Sequence, residues 1–181
     1  MYCGIGRTGV LCESVSQGAS PDIVIFSKCL GGGFPITAVM TTAKIADVFA
    51  TQPLPFFRHG HTQSGNLLGC RAALFILEHL DAEDCYERVK AKGTRLLQAI
   101  RDRLPATDDV VSVQGKGLML SITLSSPAAC SQAQYDARRH GLFIGAADRH
   151  LKLAPPFMID DAEIDELAQR LSHAIDEASH H

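Results

Sequence analysis

Lys28 is the residue of this sequence best placed to do covalent chemistry. It follows the short apolar run Ile23–Phe26, which is typical of a buried strand, and it precedes three glycines at 31–33. Because ligands of α/β proteins bind at the carboxyl ends of strands, a lysine here could attack a carbonyl group as an amine. The glycines would let a bulky ligand approach the backbone. A strand-end lysine that extends into solvent is the alternative that the pattern leaves open.

A second candidate lies at residues 58–66, where the sequence RHGHTQSGN precedes a long apolar segment. Hydroxyl groups and unpaired backbone N–H groups at the start of a helix form an anion site, so Thr62 could bind a phosphate group. An ordinary N-terminal helix cap is the alternative. His59 and His61 are conceivable metal ligands, but no carboxylate or cysteine stands at a matching spacing, and we expect no metal site.

The segment GIGRTG at 4–9 matches the dinucleotide-binding pattern G-x-G-x-x-G letter for letter. That pattern needs a strand before it and a full helix after it, and Gly18 and Pro21 follow too soon for such a helix. The next strand also ends in Lys28 rather than in the acidic residue that would hold a ribose. We therefore expect a glycine-rich turn here and no dinucleotide site.

The elements that must position these residues alternate between strands and helices, which is typical of an α/β protein. The segment at 66–80 is apolar nearly all round, so we expect a helix that is buried on most sides. Asp160 and Glu163 stand at capping-box spacing and predict the start of the last helix. The other predicted elements are strands at 23–26, 36–41, 110–113 and 118–124, short strands near Leu142 and Leu151, and helices at 44–50, 83–104 and 128–140.

The composition excludes several classes of protein. The 181 residues include 17 Lys+Arg and 20 Asp+Glu, for a net charge of −3, with 46% hydrophobic and 20% charged residues. This balance is typical of a soluble globular protein and offers no basic field for nucleic acid. No apolar run reaches the roughly 18 residues that a membrane span needs. Six cysteines without a C-x-x-C pair indicate reduced, mostly buried thiols, and with no secretion signal we expect a cytoplasmic protein.

Taken together, these segments resemble the class III pyridoxal-phosphate-dependent aminotransferases, which have fold type I. The resemblance covers nearly the whole chain and rests on blocks that occur in the family's order. The matching residues are GIGRTG at 4–9, PDIV at 21–24, SK at 27–28, GGGFP at 31–35, HGHT at 59–62 with Asn66, GKGLM at 115–119 and LAPP at 153–156.

The resemblance implies a role for three of these positions. Lys28 would form the internal aldimine with pyridoxal phosphate and then act as the general base that moves a proton between substrate and cofactor carbons. Thr62 would bind the cofactor phosphate of the neighbouring subunit, which implies a homodimer with shared active sites. Met1 stands where the family has a valine against the pyridine ring. The implied reaction moves an amino group from an amine or omega-amino donor to a 2-oxo acid.

This sequence departs from the family pattern at Lys152. The family has an arginine there that grips a substrate carboxylate with a bidentate fork. A lysine keeps the charge and loses the fork, so we expect weaker discrimination among 2-oxo-acid acceptors.

A larger departure concerns the N-terminal half of the family's site. The aspartate that pairs with the pyridinium nitrogen, the phosphate-binding glycine loop and the aromatic residue that stacks on the ring would all lie before Met1. The chain is therefore expected to be a C-terminal part. Residues 1–80 would belong to a large domain with a mixed, mostly parallel sheet, 81–105 would be a connecting helix, and 106–179 would be a small α+β domain.

Three functional interpretations stay open at this point. The first is an aminotransferase represented by its C-terminal part, which would be poorly active alone or would need a partner chain that supplies the N-terminal half. The second is a truncated, non-catalytic dimerisation or regulatory module. The third is a pyridoxal-phosphate-dependent aminomutase, decarboxylase or lyase.

Overall fold

The computed structural model describes residues 3–51, 60–82, 84–105 and 107–180. The chain divides into two compact units. The first unit comprises Met1–Gly6 with Val10–Cys85, and the second comprises Arg7–Gly9 with Tyr86–His181. The predicted connecting helix at 81–105 therefore belongs almost entirely to the second unit. Among the described helices, none has the length and apolar composition that crossing a membrane requires.

The first unit contains a two-stranded antiparallel sheet. Ile23 pairs with Thr41, and Phe26 pairs with Ala38. The segment between the strands carries no crossover helix, which a parallel pairing would need, and the two strands pair antiparallel. The elements of this unit are α1 (Glu13–Ser16), β1 (Ile23–Phe26), a 3₁₀ helix (Lys28–Gly31), β2 (Ala38–Thr41), α2 (Ala43–Ala50) and α3 (Leu67–Ala82).

Helix α3 corrects one prediction. It was expected to be buried on most sides, but Leu67 is 84% exposed and Leu68 is 71% exposed. Only its side toward the 3₁₀ helix is packed, where Gly69 approaches the ring of Phe34. The rest of the α3 surface is apolar, as predicted, but no described residue of this chain covers it.

The second unit is built on a four-stranded antiparallel sheet in the order β3-β4-β6-β5. One face of the sheet is buried beneath helices, with Leu120, Ile122 and Leu151 at most 3% exposed. Helices α5 and α6 pack against each other, and α5 also contacts the sheet. The elements of this unit are α4 (Cys85–Arg103), β3 (Val110–Lys116), β4 (Met119–Leu124), α5 (Pro127–Arg139), β5 (Gly145–Ala147), β6 (His150–Leu153) and α6 (Asp161–Ala178).

Two element ends differ from prediction for local reasons. The helix expected from residue 83 begins at Cys85, because Asp84 has a left-handed φ of 49° and separates α3 from α4. The strand expected near Leu142 begins at Gly145, because Gly141 (φ 71°) ends α5 and the Leu142 N–H still donates to the Ala137 carbonyl. The capping box at the start of α6 is confirmed: Asp160 and Glu163 exchange both side-chain-to-backbone hydrogen bonds.

An ion-pair cluster joins α4 to α6. Arg95 contacts Asp165 at 2.7 Å and Asp161 at 3.0 Å, and Arg103 contacts Asp165 at 3.0 Å. The hydrogen bond from Arg95 lowers the pKa of the Asp165 carboxyl below its ordinary value.

Candidate functional site

Lys28 begins the 3₁₀ helix that directly follows β1, and its side chain is exposed. Its φ of 55° is in the left-handed region, which is uncommon for a residue other than glycine. Two side-chain hydrogen bonds close the segment around it. The Ser27 hydroxyl donates to the Ile36 carbonyl at 3.2 Å, and the Thr37 hydroxyl donates to the Ser27 hydroxyl at 3.0 Å. The surrounding backbone therefore fixes Lys28 in a conformation it would rarely adopt alone.

Gly32, after Lys28, has a packing role. It ends the 3₁₀ helix with a φ of 56°, and a Cβ added there would lie 2.8 Å from the Ile76 Cδ1 atom of α3. A side chain at position 32 would displace the end of the Ile76 side chain. A Cβ at Gly33 would meet no atom within 4 Å, and the expectation that these glycines let a bulky ligand approach stays a prediction.

Thr62 lies in the turn that precedes α3, and its side chain is exposed. The cap of α3 is supplied by Asn66, whose Oδ1 accepts from the Gly69 N–H at 3.0 Å. Upstream, the His61 N–H donates to the Ser64 hydroxyl at 3.1 Å. An ordinary helix cap was the alternative function predicted for this segment. Asn66 provides that cap, and Thr62, which is exposed, takes no part in it. Helix α3 packs against the 3₁₀ helix that Lys28 begins, but Thr62 lies in the turn before α3, and no described contact joins Thr62 to Lys28.

Two residues singled out in the sequence, Met1 and His59, lie outside the described residues. Among the residues that are described, no group of three or more His, Cys, Asp or Glu side chains could hold a metal ion.

Lys152 lies in the middle of β6, in the second unit, and its side chain is exposed. It pairs with Ser121 of β4 on one side and with Gly145 of β5 on the other. Its neighbours Leu151 and Leu153 are buried, so Lys152 extends from the opposite, open face of the sheet. Two register positions away, the Thr123 hydroxyl and the His150 Nδ1 atom are 3.1 Å apart and form a hydrogen bond.

Arg7 makes long-range contacts that the sequence did not predict, because GIGRTG was interpreted only as a turn. Its guanidinium donates to the carbonyl oxygens of Leu118 and Pro155 and lies 4.6 Å from the ring centroid of Phe157. The Arg7 carbonyl in turn accepts from the Leu118 N–H at 3.0 Å. Arg7 therefore ties the turn after β3 to the segment after β6. An arginine within a glycine-rich turn was the available signal.

The thiols differ in their surroundings. The Cys12 sulfur lies 3.3 Å from the Ser14 hydroxyl, and this hydrogen bond lowers the pKa of the Cys12 thiol. Cys130 is fully buried, and burial raises the pKa of its thiol. The other four cysteines are half-buried or exposed, so the expectation of mostly buried thiols was wrong.

Comparison with known proteins assigns this chain to a protein family. A family model for class-III aminotransferases matches residues 1–175. The chain is 36% identical over 175 residues to an acetylornithine aminotransferase of Corynebacterium efficiens, covering 96% of this chain and 41% of that protein. It is 30% identical over 181 residues to a leucine/methionine racemase of Thermococcus litoralis, covering 95% of this chain and 40% of that protein.

The solved structures agree on the fold. An (S)-enantioselective omega-transaminase from Thermomicrobium roseum matches with a TM-score of 0.88 and 32% identity, covering 98% of this chain and 42% of that one. An aminotransferase from Bacillus anthracis matches with a TM-score of 0.89 and 28% identity, covering 98% and 43%. The chain spans about two fifths of the length of these relatives. The expected fold class is confirmed, and the chain belongs to the class III aminotransferase family.

Proposed function

We propose that this chain is the lysine-bearing part of a pyridoxal-phosphate-dependent aminotransferase, with Lys28 as the residue that binds the cofactor covalently. The observation that carries the proposal is the position of Lys28. Lys28 is an exposed residue at the carboxyl end of β1, on a backbone held in the left-handed region by the Ser27 and Thr37 hydrogen bonds. A left-handed φ at a residue other than glycine is typical of functional positions, and Lys28 shares it with Ile5, Asp84 and Asp148.

The described residues suit the chemistry of this cofactor. Lys28 is exposed and carries a primary amine, which can react with an aldehyde, and Thr62 is exposed and carries a hydroxyl, which can bind a phosphate. Asn66 already fills the capping role at the start of α3, so Thr62 is not needed for it. When bound, pyridoxal phosphate supplies an aldehyde for covalent attachment and a ring that takes up electrons.

The roles of the chain's own residues follow from their chemistry. The Lys28 Nζ atom binds the cofactor and, once an incoming amine has displaced it, holds and moves a proton beside the reacting carbon. The Thr62 hydroxyl donates a hydrogen bond to a phosphate oxygen. We assign the substrate carboxylate to Lys152, whose ammonium supplies charge without the fork of an arginine. Met1 lies outside the described residues, and its contact with the cofactor ring stays a prediction.

The proposed reaction transfers an amino group from an amine or omega-amino donor to a 2-oxo acid. The proposed assembly is a homodimer with shared active sites, in which the N-terminal part of each site comes from residues beyond this chain or from a second chain. The cytoplasmic location expected from the composition stays a prediction.

Titration with pyridoxal phosphate tests the assignment of Lys28 and Thr62. The full chain is titrated and the absorbance of the bound chromophore is followed. Lys28→Ala should abolish the absorbance of covalently bound cofactor, while Lys44→Ala, an exposed lysine on α2 of the same unit, should leave it unchanged. Thr62→Ala should weaken binding of pyridoxal phosphate by about ten-fold and leave binding of pyridoxal, which has no phosphate, unaltered. A wild-type spectrum in Lys28→Ala would reject the proposal.

Two observations favour alternatives. The exposed apolar surface of α3, with Leu67, Leu68, Leu74 and Phe75 each at least 50% exposed, favours a chain that functions by association. Replacing Leu67 and Leu68 by glutamate would then lower the mass measured by sedimentation equilibrium.

Similarity to a leucine/methionine racemase favours another pyridoxal-phosphate reaction. Loss of substrate chirality without formation of a 2-oxo acid would identify that reaction.

A further inference from the structure

We propose that the hydroxyl groups of Ser27 and Thr37 position Lys28 for its reaction with the cofactor aldehyde, so that both are positioning residues of the proposed site. The inference deepens the proposed function and rests on it, because it concerns how the chain presents the Lys28 amine. We call these two side chains the hydroxyl pair, and they lie where the loop formed by residues 28–36 begins and ends.

The hydroxyl pair extends the ladder between β1 and β2. Ser27 and Thr37 occupy the register position directly beyond the last backbone pair of that ladder. Side chains join the two segments there: the Thr37 hydroxyl donates to the Ser27 hydroxyl at 3.0 Å, and the Ser27 hydroxyl donates to the Ile36 carbonyl at 3.2 Å. Two consecutive hydrogen bonds therefore close the loop at 28–36.

The Ser27 hydroxyl serves this closure instead of a helix cap. Ser27 is the N-cap residue of the 3₁₀ helix, and a serine at that position ordinarily accepts a hydrogen bond from the helix backbone. Here the side chain forms no cap hydrogen bond and donates across the loop to Ile36. The serine is thus used to join the two ends of the loop that carries Lys28.

Lys28 is the residue of the loop that needs this support. Its φ of 55° lies in the left-handed region. Aspartate tolerates that region because its short polar side chain can form local hydrogen bonds, whereas a lysine side chain is too long to do so. Contacts of the surrounding loop must therefore stabilise the conformation, and the hydroxyl pair begins at the residue directly before Lys28.

A fixed backbone matters for covalent attachment of a cofactor. The Lys28 amine must approach the aldehyde carbon of a bound cofactor to about 3–3.5 Å in a reactive orientation, and holding one reactant in place raises the rate of such a step. Without the hydroxyl pair, we expect the Lys28 backbone to relax and its side chain to change direction. Lys28 would then react like any other exposed lysine.

Competitive labelling of the full chain tests the hydroxyl pair. The chain is treated with a limiting amount of pyridoxal phosphate, reduced with borohydride, digested and mapped by mass spectrometry. The label on Lys28 is divided by the label on Lys152, an exposed lysine of the second unit. Thr37→Val removes the hydroxyl and keeps the side-chain shape, so it should lower this ratio about five-fold, and Ser27→Ala should do the same. Thr37→Ser keeps the hydroxyl and should retain the parent ratio.

Thr41→Val is the matched control. The Thr41 hydroxyl donates to the Asp22 carbonyl at 3.1 Å at the opposite end of the same ladder, so this variant also loses a threonine hydrogen bond of the sheet. A parent ratio in Thr41→Val together with a loss in Thr37→Val supports the inference. Equal ratios in Thr37→Val and the parent chain, or equal losses in Thr37→Val and Thr41→Val, would overturn it.

Hydrogen–deuterium exchange on the same variants shows whether the hydroxyl pair acts on the loop. Peptides covering residues 28–36 should exchange faster in Thr37→Val than in Thr41→Val or the parent chain. Faster exchange with an unchanged label ratio would show a structural role alone, which rejects the inference while the proposed function stands. A parent chain without preferential label at Lys28 would reject the proposed function itself.

Discussion

Gly93 of α4 lies directly against the backbone of Gly117 in the turn between β3 and β4. A Cβ added to Gly93 would overlap the Gly117 carbonyl group, and Gly117 itself has a φ of 53° with the Arg7 carbonyl oxygen 2.7 Å from its own missing Cβ position. Three backbone segments of the second unit therefore meet at a point where no side chain fits. The turn that follows β3 is held by contact with α4 and with Arg7.

Gly93→Ala should destabilise the second unit by at least about 2 kcal/mol, because α4 must shift away from the β3–β4 turn to accommodate a methyl group. Thr94→Ala is the control, since Thr94 is exposed on the neighbouring helix position and its hydroxyl bonds only to the Lys90 carbonyl. Urea unfolding of both variants measures the effect. Equal midpoints for Gly93→Ala and the parent chain would show that the close approach is not required.

Arg7→Lys should lower the free energy of unfolding by about 1–2 kcal/mol. A lysine keeps the charge, but it cannot donate to the Leu118 and Pro155 carbonyls in the same planar geometry while stacking on Phe157. Arg138→Lys on the exposed side of α5 makes the same exchange without these contacts and should be neutral. An identical loss of unfolding free energy in Arg7→Lys and Arg138→Lys would show that the contacts of Arg7 add no specific stability.

Ser14→Ala should slow the alkylation of Cys12 near neutral pH. The hydrogen bond with Ser14 lowers the pKa of the Cys12 thiol, so more of the reactive thiolate is present in the folded chain than an ordinary thiol would provide. Removing the hydroxyl raises that pKa and reduces the thiolate fraction. Rates of iodoacetamide labelling, followed by peptide mapping, should differ most near pH 7 and converge above about pH 10, where both thiols are ionised. A constant ratio of rates across this range would contradict the prediction.

Asp165→Asn should destabilise the second unit at neutral pH and have no effect in acid. The folded-state pKa of Asp165 is lowered by Arg95, so its contribution is present above the ordinary carboxyl pKa of about 3.9 and is lost as the pH falls through the lowered value. The difference in unfolding free energy between parent and variant is measured from pH 7 to about pH 2. Asp176→Asn removes an exposed carboxylate of the same helix and controls for the loss of one negative charge.

Local patterns in the sequence were sufficient to predict most of the fold. Apolar runs bounded by glycine and proline predicted β1 and β4, and the spacing of Asp160 and Glu163 predicted the start of α6. These features depend on neighbours within a few residues, which a sequence displays directly. The starts of α4 and β5 were misplaced because Asp84 and Gly141 adopt left-handed conformations, which the composition of those segments does not reveal.

The long-range contacts were not predictable in the same way. Nothing local indicates that Arg7 reaches Pro155, or that Gly93 meets Gly117, because these residues become neighbours only when strands and helices have packed. Lys28 could be selected from its place after an apolar strand, but its left-handed φ depends on the whole segment closed by Ser27 and Thr37. Lys152 likewise becomes the neighbour of Ser121 only through the register of β4 and β6.

Reductive trapping of the cofactor tests the central proposal most directly. The full chain is incubated with pyridoxal phosphate, reduced with borohydride, digested and mapped by mass spectrometry. We expect a single dominant pyridoxyl-phosphate label on the peptide that contains Lys28, with only background label on exposed lysines such as Lys44 and Lys152. Absence of label at Lys28, or label spread evenly over the exposed lysines, would contradict the assignment of Lys28 as the cofactor-binding residue.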